Sequence, residues 1–370
     1  MRTMAALART PGAPLEVGEI TLDDPREDEV LVKVLAAGIC HTDLSAAAGR
    51  LPVRMPIVLG HEGAGVVVQV GSRVSAVKPG DRVLLTPDFC GTCRQCRLGA
   101  TTYCERTGQL VFGGTRLDGS TKASVDGEPV RAGFFGQSSF SEYTLATERN
   151  ILPVAGTTAP LAHLAALTCG VSTGAGAVLN ALQVRPEQSL AVFGTGTVGL
   201  AAVMAAKMVG VRRIVAVDRH PIRLELAREL GATHVIDTGV HADAAAAVHD
   251  LFPSGVDRTF DSTGVPAVLG AALASLGTRG ICGFVAGTGA TLPVDLGSML
   301  IKGAQLRGIM GGDATGLVFL ADLVTAYEDG RLPVDRLVTT YRLDRINQAF
   351  EDMRAGRTIK PVIVFDDADR

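Results

Sequence analysis

Four cysteines crowd one short stretch, Cys90-Gly91-Thr92-Cys93-Arg94-Gln95-Cys96 followed by Cys104. Thiolates are soft ligands. Two overlapping Cys-x2-Cys units with a fourth cysteine nearby can close a tetrahedron around zinc, leaving no position for water. Gly91 and Gly99 let the backbone wrap that closely. Buried thiols or a redox pair are the alternatives. A closed four-sulfur site serves structure rather than turnover. The chain has seven cysteines in all, an odd number. Its first residues, MRTMAALART, lack the apolar core of a secretory signal, so a disulfide framework is not expected.

Cys40, Cys169 and Cys282 remain. Cys40 lies in Gly38-Ile39-Cys40-His41-Thr42-Asp43, just after the alternating run Val30 to Val34. Downstream, His61 sits between small residues after Ile57-Val58-Leu59. Two thiolates and one imidazole would make a three-ligand zinc site with its fourth position open to water or substrate. The separations are 21 and 108 residues, far outside local motif spacing. Whether the three meet is left open by spacing, and a histidine satisfied in the core is the alternative for His61.

The elements that would position a cofactor lie in the second half. From about residue 188, short apolar runs alternate with helical segments: Leu190–Phe193, Ile214–Val217, His234–Ile236, Val256–Phe260, Ile281–Val285 and Gln305–Ile309. That rhythm suits βαβ units and a parallel sheet. The first run feeds into Gly194-Thr195-Gly196-Thr197-Val198-Gly199, a G-x-G-x-x-G between strand and helix. Gly194 permits the tight turn, Gly196 lets the backbone approach a pyrophosphate, and Gly199 lets helix and strand pack closely. Asp218 ends the second run, 19 residues after Gly199. Its carboxylate would accept hydrogen bonds from a ribose diol and repel a 2′-phosphate, favouring NAD over NADP. A structural glycine turn and a capping aspartate are the alternative.

Composition narrows the remaining classes. At 370 residues, with 47% hydrophobic and 20% charged residues, the chain has material for about two domains. A net charge of −3 argues against a nucleic-acid binder, and disorder is not expected. The uncharged stretch from 150 to 184 is interrupted by Pro153, Pro160, His163 and Asn180. It reads as a buried, loop-rich crossing rather than a membrane span. A soluble, cytoplasmic protein is expected, with no membrane partner.

Across residues 3–365 the chain resembles the zinc-dependent medium-chain alcohol dehydrogenases. The resemblance rests on GICHTDL (38–44), LGHEGAGVV (59–67), CGTCRQC (90–96), LTCGVSTGAGAVLN (167–180), GTGTVG (194–199) and AVDRHPIRLELARELGATHVID (216–237). The stretch GFFGQSSF (133–140) is most similar to the aryl and allylic, benzyl-alcohol type branch. The implied fold is α/β: a Rossmann doubly wound parallel sheet domain at 172–312, inserted in a mostly β GroES-like catalytic domain at 1–171 and 313–370. Two zinc ions per chain are implied. Cys40, His61 and Cys169 would hold the catalytic one with Glu62 beside it, and Cys90, Cys93, Cys96 and Cys104 the structural one. Asp43 would fix the tautomer of His61. His41 and Lys360 match positions at the cofactor pyrophosphate, Asp218 and Arg223 positions at the ribose, and Val198 one behind the nicotinamide. Cys282 is expected as small core filler.

The implied reaction moves a hydride from a primary alcohol to NAD⁺, giving the aldehyde, with Thr42 accepting the alcohol proton. Relatives often carry a histidine three residues after that threonine; here Ser45 stands there and does not titrate near neutrality. Protons are expected to leave through water or another base, with His41 as one candidate. An unchanged pH–rate profile in His41→Gln would exclude it. Leu51, Leu85 and Phe284 match the substrate channel. Leu51 replaces the acidic residue expected in the glutathione-dependent branch, and no arginine matches near Gly108. Both favour aryl or allylic alcohols over S-(hydroxymethyl)glutathione or simple aliphatic alcohols. A zinc-free quinone reductase would lack the ligand set, and a non-catalytic NAD-binding sensor would have no need of an open metal position. Pairing of edge strands near Gln305 is expected to give a homodimer.

Overall fold

The computed structural model describes residues 1–286, 291–314 and 316–365. The chain separates into two compact units. The first comprises Met1–Cys169, Thr315–Thr325 and Val334–Arg370, the second Gly170–Ala314 and Ala326–Pro333.

The first unit is built mainly from strands. One sheet runs in the order Ile151–Pro153, Arg82–Leu85, Gly63–Val70, Glu29–Gly38, Lys360–Val364, Val338–Arg342, with Tyr143–Thr147 also paired to Glu29–Gly38. A second sheet orders Ile57–Val58, Arg2–Ala8, Glu16–Leu22, Ala123–Val125 and Glu128–Val130. The strand Glu29–Gly38 is rich in β-branched residues and buried along most of its length, as a central strand should be. It delivers the chain to Cys40, the N-cap of the helix His41–Ala47.

A buried charge network ties the long segment after the four cysteines to this sheet. Arg116 donates from Nε and Nη2 to the two carboxylate oxygens of Glu29, at 2.7 and 3.0 Å, and from Nη1 to Asp23. Lys122 donates to the carbonyls of Gly136 and Leu145 at 2.9 and 2.8 Å. Burial lowers the Lys122 ammonium from its ordinary 10.5 to about 8, against the pull of Glu29 and Asp88. A lowered folded-state value has a definite sign. Below about pH 8 both states hold the proton and the penalty is constant. Between about 8 and 10.5 the unfolded chain holds more protons, so stability rises with pH. The gain is on the order of 3 kcal/mol. Urea unfolding across that range should show wild type gaining on Lys122→Met. A pH-independent difference between them would contradict the burial penalty.

The second unit carries one parallel sheet, ordered His234–Asp237, Arg213–Asp218, Ser189–Phe193, Val256–Asp261, Leu276–Phe284 and Gln305–Gly308. In chain order this is 3-2-1-4-5-6, so the direction of progression reverses beside Ser189–Phe193. That reversal opens a crevice at the strand's carboxyl end, where a dinucleotide binds in doubly wound folds. The helix Thr197–Met208 follows, its small side chains nearly all buried. Pro221 opens the next helix at its first turn, and Gly231 ends it. Cys282 is fully buried in the core of this unit, as expected of a small filler.

One sequence reading is corrected here. The stretch 150–184 is not loop-rich: Leu161–Ala165 and Gly170–Gly176 are α-helical, with short continuations, and mostly buried. Its interrupting Pro153, Pro160, His163 and Asn180 suggested loops, whereas glycines there serve close helix packing. A side chain at Gly174 would run into the Val198 carbonyl oxygen and Ala201. No single described helix is long and apolar enough to cross a membrane. The broken pair Leu161–Thr168 and Gly170–Ala181 passes on length and composition alone.

Candidate metal centres and dinucleotide site

Cys40, His61, Glu62 and Cys169 come together in the first unit, although spacing could not bring them there. One ligand atom from each lies within 4.8 Å of the others. Cys40 is placed by the end of Glu29–Gly38, and His61 by the turn between Ile57–Val58 and Gly63–Val70. Cys169 follows the short helical turn Ala166–Thr168. The two sulfurs are 4.0 Å apart.

Asp43, fully buried, organises this cluster. Its Oδ2 accepts from the Cys40 backbone N–H at 2.9 Å. Its Oδ1 accepts from Gly60 N–H at 3.1 Å and faces His61 Nδ1 at 3.0 Å. The contact directs Nδ1–H to the carboxylate and leaves Nε2 as the nitrogen that would face a metal. His61 Nε2 is buried and has no hydrogen-bond partner, as a metal-binding nitrogen should be. Burial alone pulls the ring's value down; Asp43, then Cys40, outweigh it and lift it to about 10, so a metal binding at Nε2 would displace a proton there. The Cys169 thiol holds Cys40 well below the usual thiol range, with His61 adding to the effect against burial. A soft, partly ionised donor set with an orphaned imidazole nitrogen fits zinc.

Thr42 lies on the first turn of the helix His41–Ala47, its hydroxyl 3.6 Å from Cys40 Sγ. His41 is exposed at the start of that helix. Lys360, expected at a cofactor phosphate, is only 1% exposed. Its ammonium forms an ion pair with Glu62 and donates to the Ile39 carbonyl at 3.1 Å. Burial opposes its charge, but Glu62 and Cys40 hold its value above the ordinary one. Sequence offered no sign of this pair, because a lysine in a strand usually points to water.

Leu85, matched to the substrate channel, is wholly buried in the core packed around Gly63–Val70 and Arg82–Leu85. Thr86, the next residue, is partly exposed. Leu51 is partly exposed and packs against the larger core of the unit. Phe284, at the carboxyl end of its strand in the second unit, is also partly exposed.

The four clustered cysteines fold as their spacing predicts, with ligand atoms within 4.8 Å of one another. Backbone N–H groups of Thr92 and Cys93 point at Cys90 Sγ, that of Cys96 at Cys93 Sγ, and those of Cys90 and Arg106 at Cys104 Sγ. Such donors stabilise thiolates and bind the loop around a shared centre.

In the second unit, Gly194 turns with φ +88°, and a side chain on Gly199 would overlap the Gly194 carbonyl oxygen. Gly196 faces open space. Asp218 accepts four hydrogen bonds: from Thr195 N–H and Oγ1 at 2.6 and 2.8 Å, Arg219 N–H at 2.7 Å and His220 N–H at 3.0 Å. Burial raises its carboxyl, but these donors outweigh it and hold it below the ordinary range. Val198 lies partly exposed on the first turn of Thr197–Met208. Arg223, on the first turn of the next helix, has a buried Nε without a hydrogen-bond partner.

Phe134 and Phe135 had no individual role in the sequence reading. The structure stacks Phe135 on the His61 ring, with centroids 4.3 Å apart and planes 28° apart. Phe134 meets the same ring edge-on at 5.7 Å. The motif GFFGQSSF was the available signal, but it marked only a resemblance.

Residues 26–156 match the Alcohol dehydrogenase GroES-like domain, and residues 197–324 match the Zinc-binding dehydrogenase family. Geraniol dehydrogenase of Castellaniella defragrans is 43% identical over 365 residues, covering 98% of this chain and 97% of its own. S-(hydroxymethyl)glutathione dehydrogenase of Escherichia coli is 40% identical over 374 residues, covering 98% and 100%. The structure of benzyl alcohol dehydrogenase from Acinetobacter calcoaceticus superposes with a TM-score of 0.95 at 39% identity, covering 99% and 100%. That of an alcohol dehydrogenase zinc-binding domain protein from Burkholderia ambifaria gives 0.96 at 45%, covering 99% of each chain. With both sulfur-rich centres and the dinucleotide turn in place, the chain belongs to the zinc-dependent medium-chain alcohol dehydrogenase family.

Proposed function

We propose that the chain oxidises primary aryl and allylic alcohols to aldehydes with NAD⁺ and catalyses the reverse reaction. The carrying observation is the cluster of Cys40, His61 and Cys169, with His61 Nε2 orphaned and its tautomer set by Asp43. Zinc held there would supply Lewis acidity toward an alcohol oxygen, and the nicotinamide would take the hydride. The chain's own residues do the positioning. Asp43 orients two of the ligands at once. Thr42 stands beside Cys40 with a hydroxyl suited to accept the alcohol proton. Lys360 compensates the buried charge of Glu62. Cys90, Cys93, Cys96 and Cys104 would hold a second, structural zinc.

In the second unit, the turn of Gly194, Gly196 and Gly199 would receive the pyrophosphate, with Val198 behind the nicotinamide and Arg223 at the ribose. Asp218, held anionic by four donors, is unfavourable to a 2′-phosphate, which supports NAD over NADP. We assign 1–171 and 313–370 to the catalytic domain and 172–312 to the dinucleotide domain.

The geraniol and benzyl alcohol relatives support the substrate class, as do the apolar Leu51, Phe112 and Phe135, which pack against one core. Relative kcat/KM values test it. Benzyl alcohol and geraniol should exceed ethanol and S-(hydroxymethyl)glutathione by about tenfold or more. Preference for either of the last two would overturn the assignment.

We also propose a homodimer. The helix Leu296–Lys302 has no buried residue, and Leu296, Leu300 and Ile301 are 75%, 83% and 86% exposed. It precedes Gln305–Gly308, which is an edge strand of the described sheet. An apolar surface beside an open edge suits a two-fold pairing. Light scattering should give a dimer, and Leu300→Glu with Ile301→Glu a monomer. A wild-type monomer or tetramer would refute this.

A further inference from the structure

We infer that Phe135 is a positioning residue for the His61 imidazole, fixing the plane in which Nε2 meets the metal. This deepens the proposed zinc site and rests on it. The Asp43 contact constrains His61 at one atom, Nδ1, and one hydrogen bond leaves the tilt of the ring loose. The face of Phe135 lies against the imidazole at 4.3 Å and 28°, which removes that freedom. Phe134 contacts His61 from an edge-on orientation, and Phe112 meets Phe135 edge-on at 5.8 Å.

The backbone supplies an independent observation. Phe135 adopts φ 54° and ψ 26°, the left-handed region that a bulky side chain seldom occupies. Such a conformation persists only where its surroundings over-determine it. Here they do. Phe135 N–H donates to the Val111 carbonyl at 2.8 Å, and its own carbonyl accepts from Asp88 N–H at 3.1 Å. Ser138 Oγ accepts from Phe134 N–H at 2.8 Å and donates to the Val58 carbonyl at 2.6 Å. Lys122 holds the carbonyl of Gly136. A side chain that only filled space could be supplied from an unstrained position. A phenyl face is best matched to an imidazole made more cationic by a metal, because the ring face is electron-rich.

Two variants test the role. Phe135→Leu keeps an apolar side chain without the aromatic face; Phe135→Tyr keeps the face. The first readout is the rate at which zinc leaves the full-length enzyme for a chromogenic chelator. The second is the visible absorption of enzyme carrying cobalt at the catalytic site. Phe135→Leu should lose one zinc about tenfold faster than wild type and shift the cobalt bands. Phe135→Tyr should match wild type in both, and the four-cysteine zinc should behave alike in all three proteins. The inference is overturned if Phe135→Leu keeps both zincs as wild type does and its cobalt spectrum is unshifted. Cys169→Ser separates this failure from that of the site itself: if it still binds two zincs, the ligand assignment is wrong, and the role of Phe135 falls with it.

Discussion

Asp43→Ala is expected to abolish measurable turnover and to empty the catalytic metal site while leaving the four-cysteine site filled. The carboxylate is fully buried and serves Cys40 N–H, Gly60 N–H and His61 Nδ1. It thus connects the backbone carrying one proposed ligand to the ring of another. Alanine would leave all three groups without their acceptor. A buried donor left unsatisfied costs about 1–3 kcal/mol, so the variant should be destabilised by several kcal/mol. Loss of a partner behind a metal-binding histidine costs about 10–100-fold in metal affinity. Here the loss should reach the upper end, because Cys40 is displaced as well. Asp43→Asn should fall between: its oxygen can still face Gly60 and His61, but its amide would confront Cys40 N–H. Zinc analysis after dialysis, together with thermal melting, checks both halves. Wild-type zinc content in Asp43→Ala would contradict the organising role.

Gly199→Ala should produce the second large effect, on the cofactor side. The added carbon would overlap the Gly194 carbonyl oxygen, at the turn between Ser189–Phe193 and Thr197–Met208. Neither partner can yield without prying helix from strand. Overpacking of this kind costs about 1–3 kcal/mol or more, and the turn it distorts is the one proposed to receive the pyrophosphate. NAD⁺ affinity should fall about a hundredfold or more, with a lower melting temperature and both zincs retained. Gly196→Ala gives the contrast. No atom lies within 4 Å of a carbon added there, so folding should be unaffected. NAD⁺ binding should still weaken, because the carbon would occupy the approach of the ligand. Calorimetric titration with NAD⁺ distinguishes the two. Undiminished affinity in Gly199→Ala would remove the assigned role of the turn.

The parts legible in sequence are those whose chemistry is local. The spacing of Cys90, Cys93, Cys96 and Cys104 suffices to place four sulfurs together. The strand, glycine turn, helix and Asp218 form one continuous unit, and the six parallel strands fall near the six apolar runs. The meeting of Cys40, His61 and Cys169 is different, because sheet pairing and a buried helical segment set it across more than a hundred residues; only family resemblance pointed there. Lys360 shows how a buried counter-charge, here Glu62, overrides the usual exposure of a lysine. Phe135 could not be read in advance, because a left-handed phenylalanine follows no local preference. Helices at 161–181 were hidden because Pro153, Pro160, His163 and Asn180 read as interruptions of the stretch.

Anomalous diffraction at the zinc edge tests the central claim most directly. Crystals of the zinc-loaded enzyme should show two peaks per chain. One should lie among Cys90, Cys93, Cys96 and Cys104. The other should lie between Cys40 Sγ, His61 Nε2 and Cys169 Sγ, with its fourth side free of protein ligands in at least one state. No peak at that second position, or a peak sealed by Glu62 in every state, would contradict the proposed chemistry.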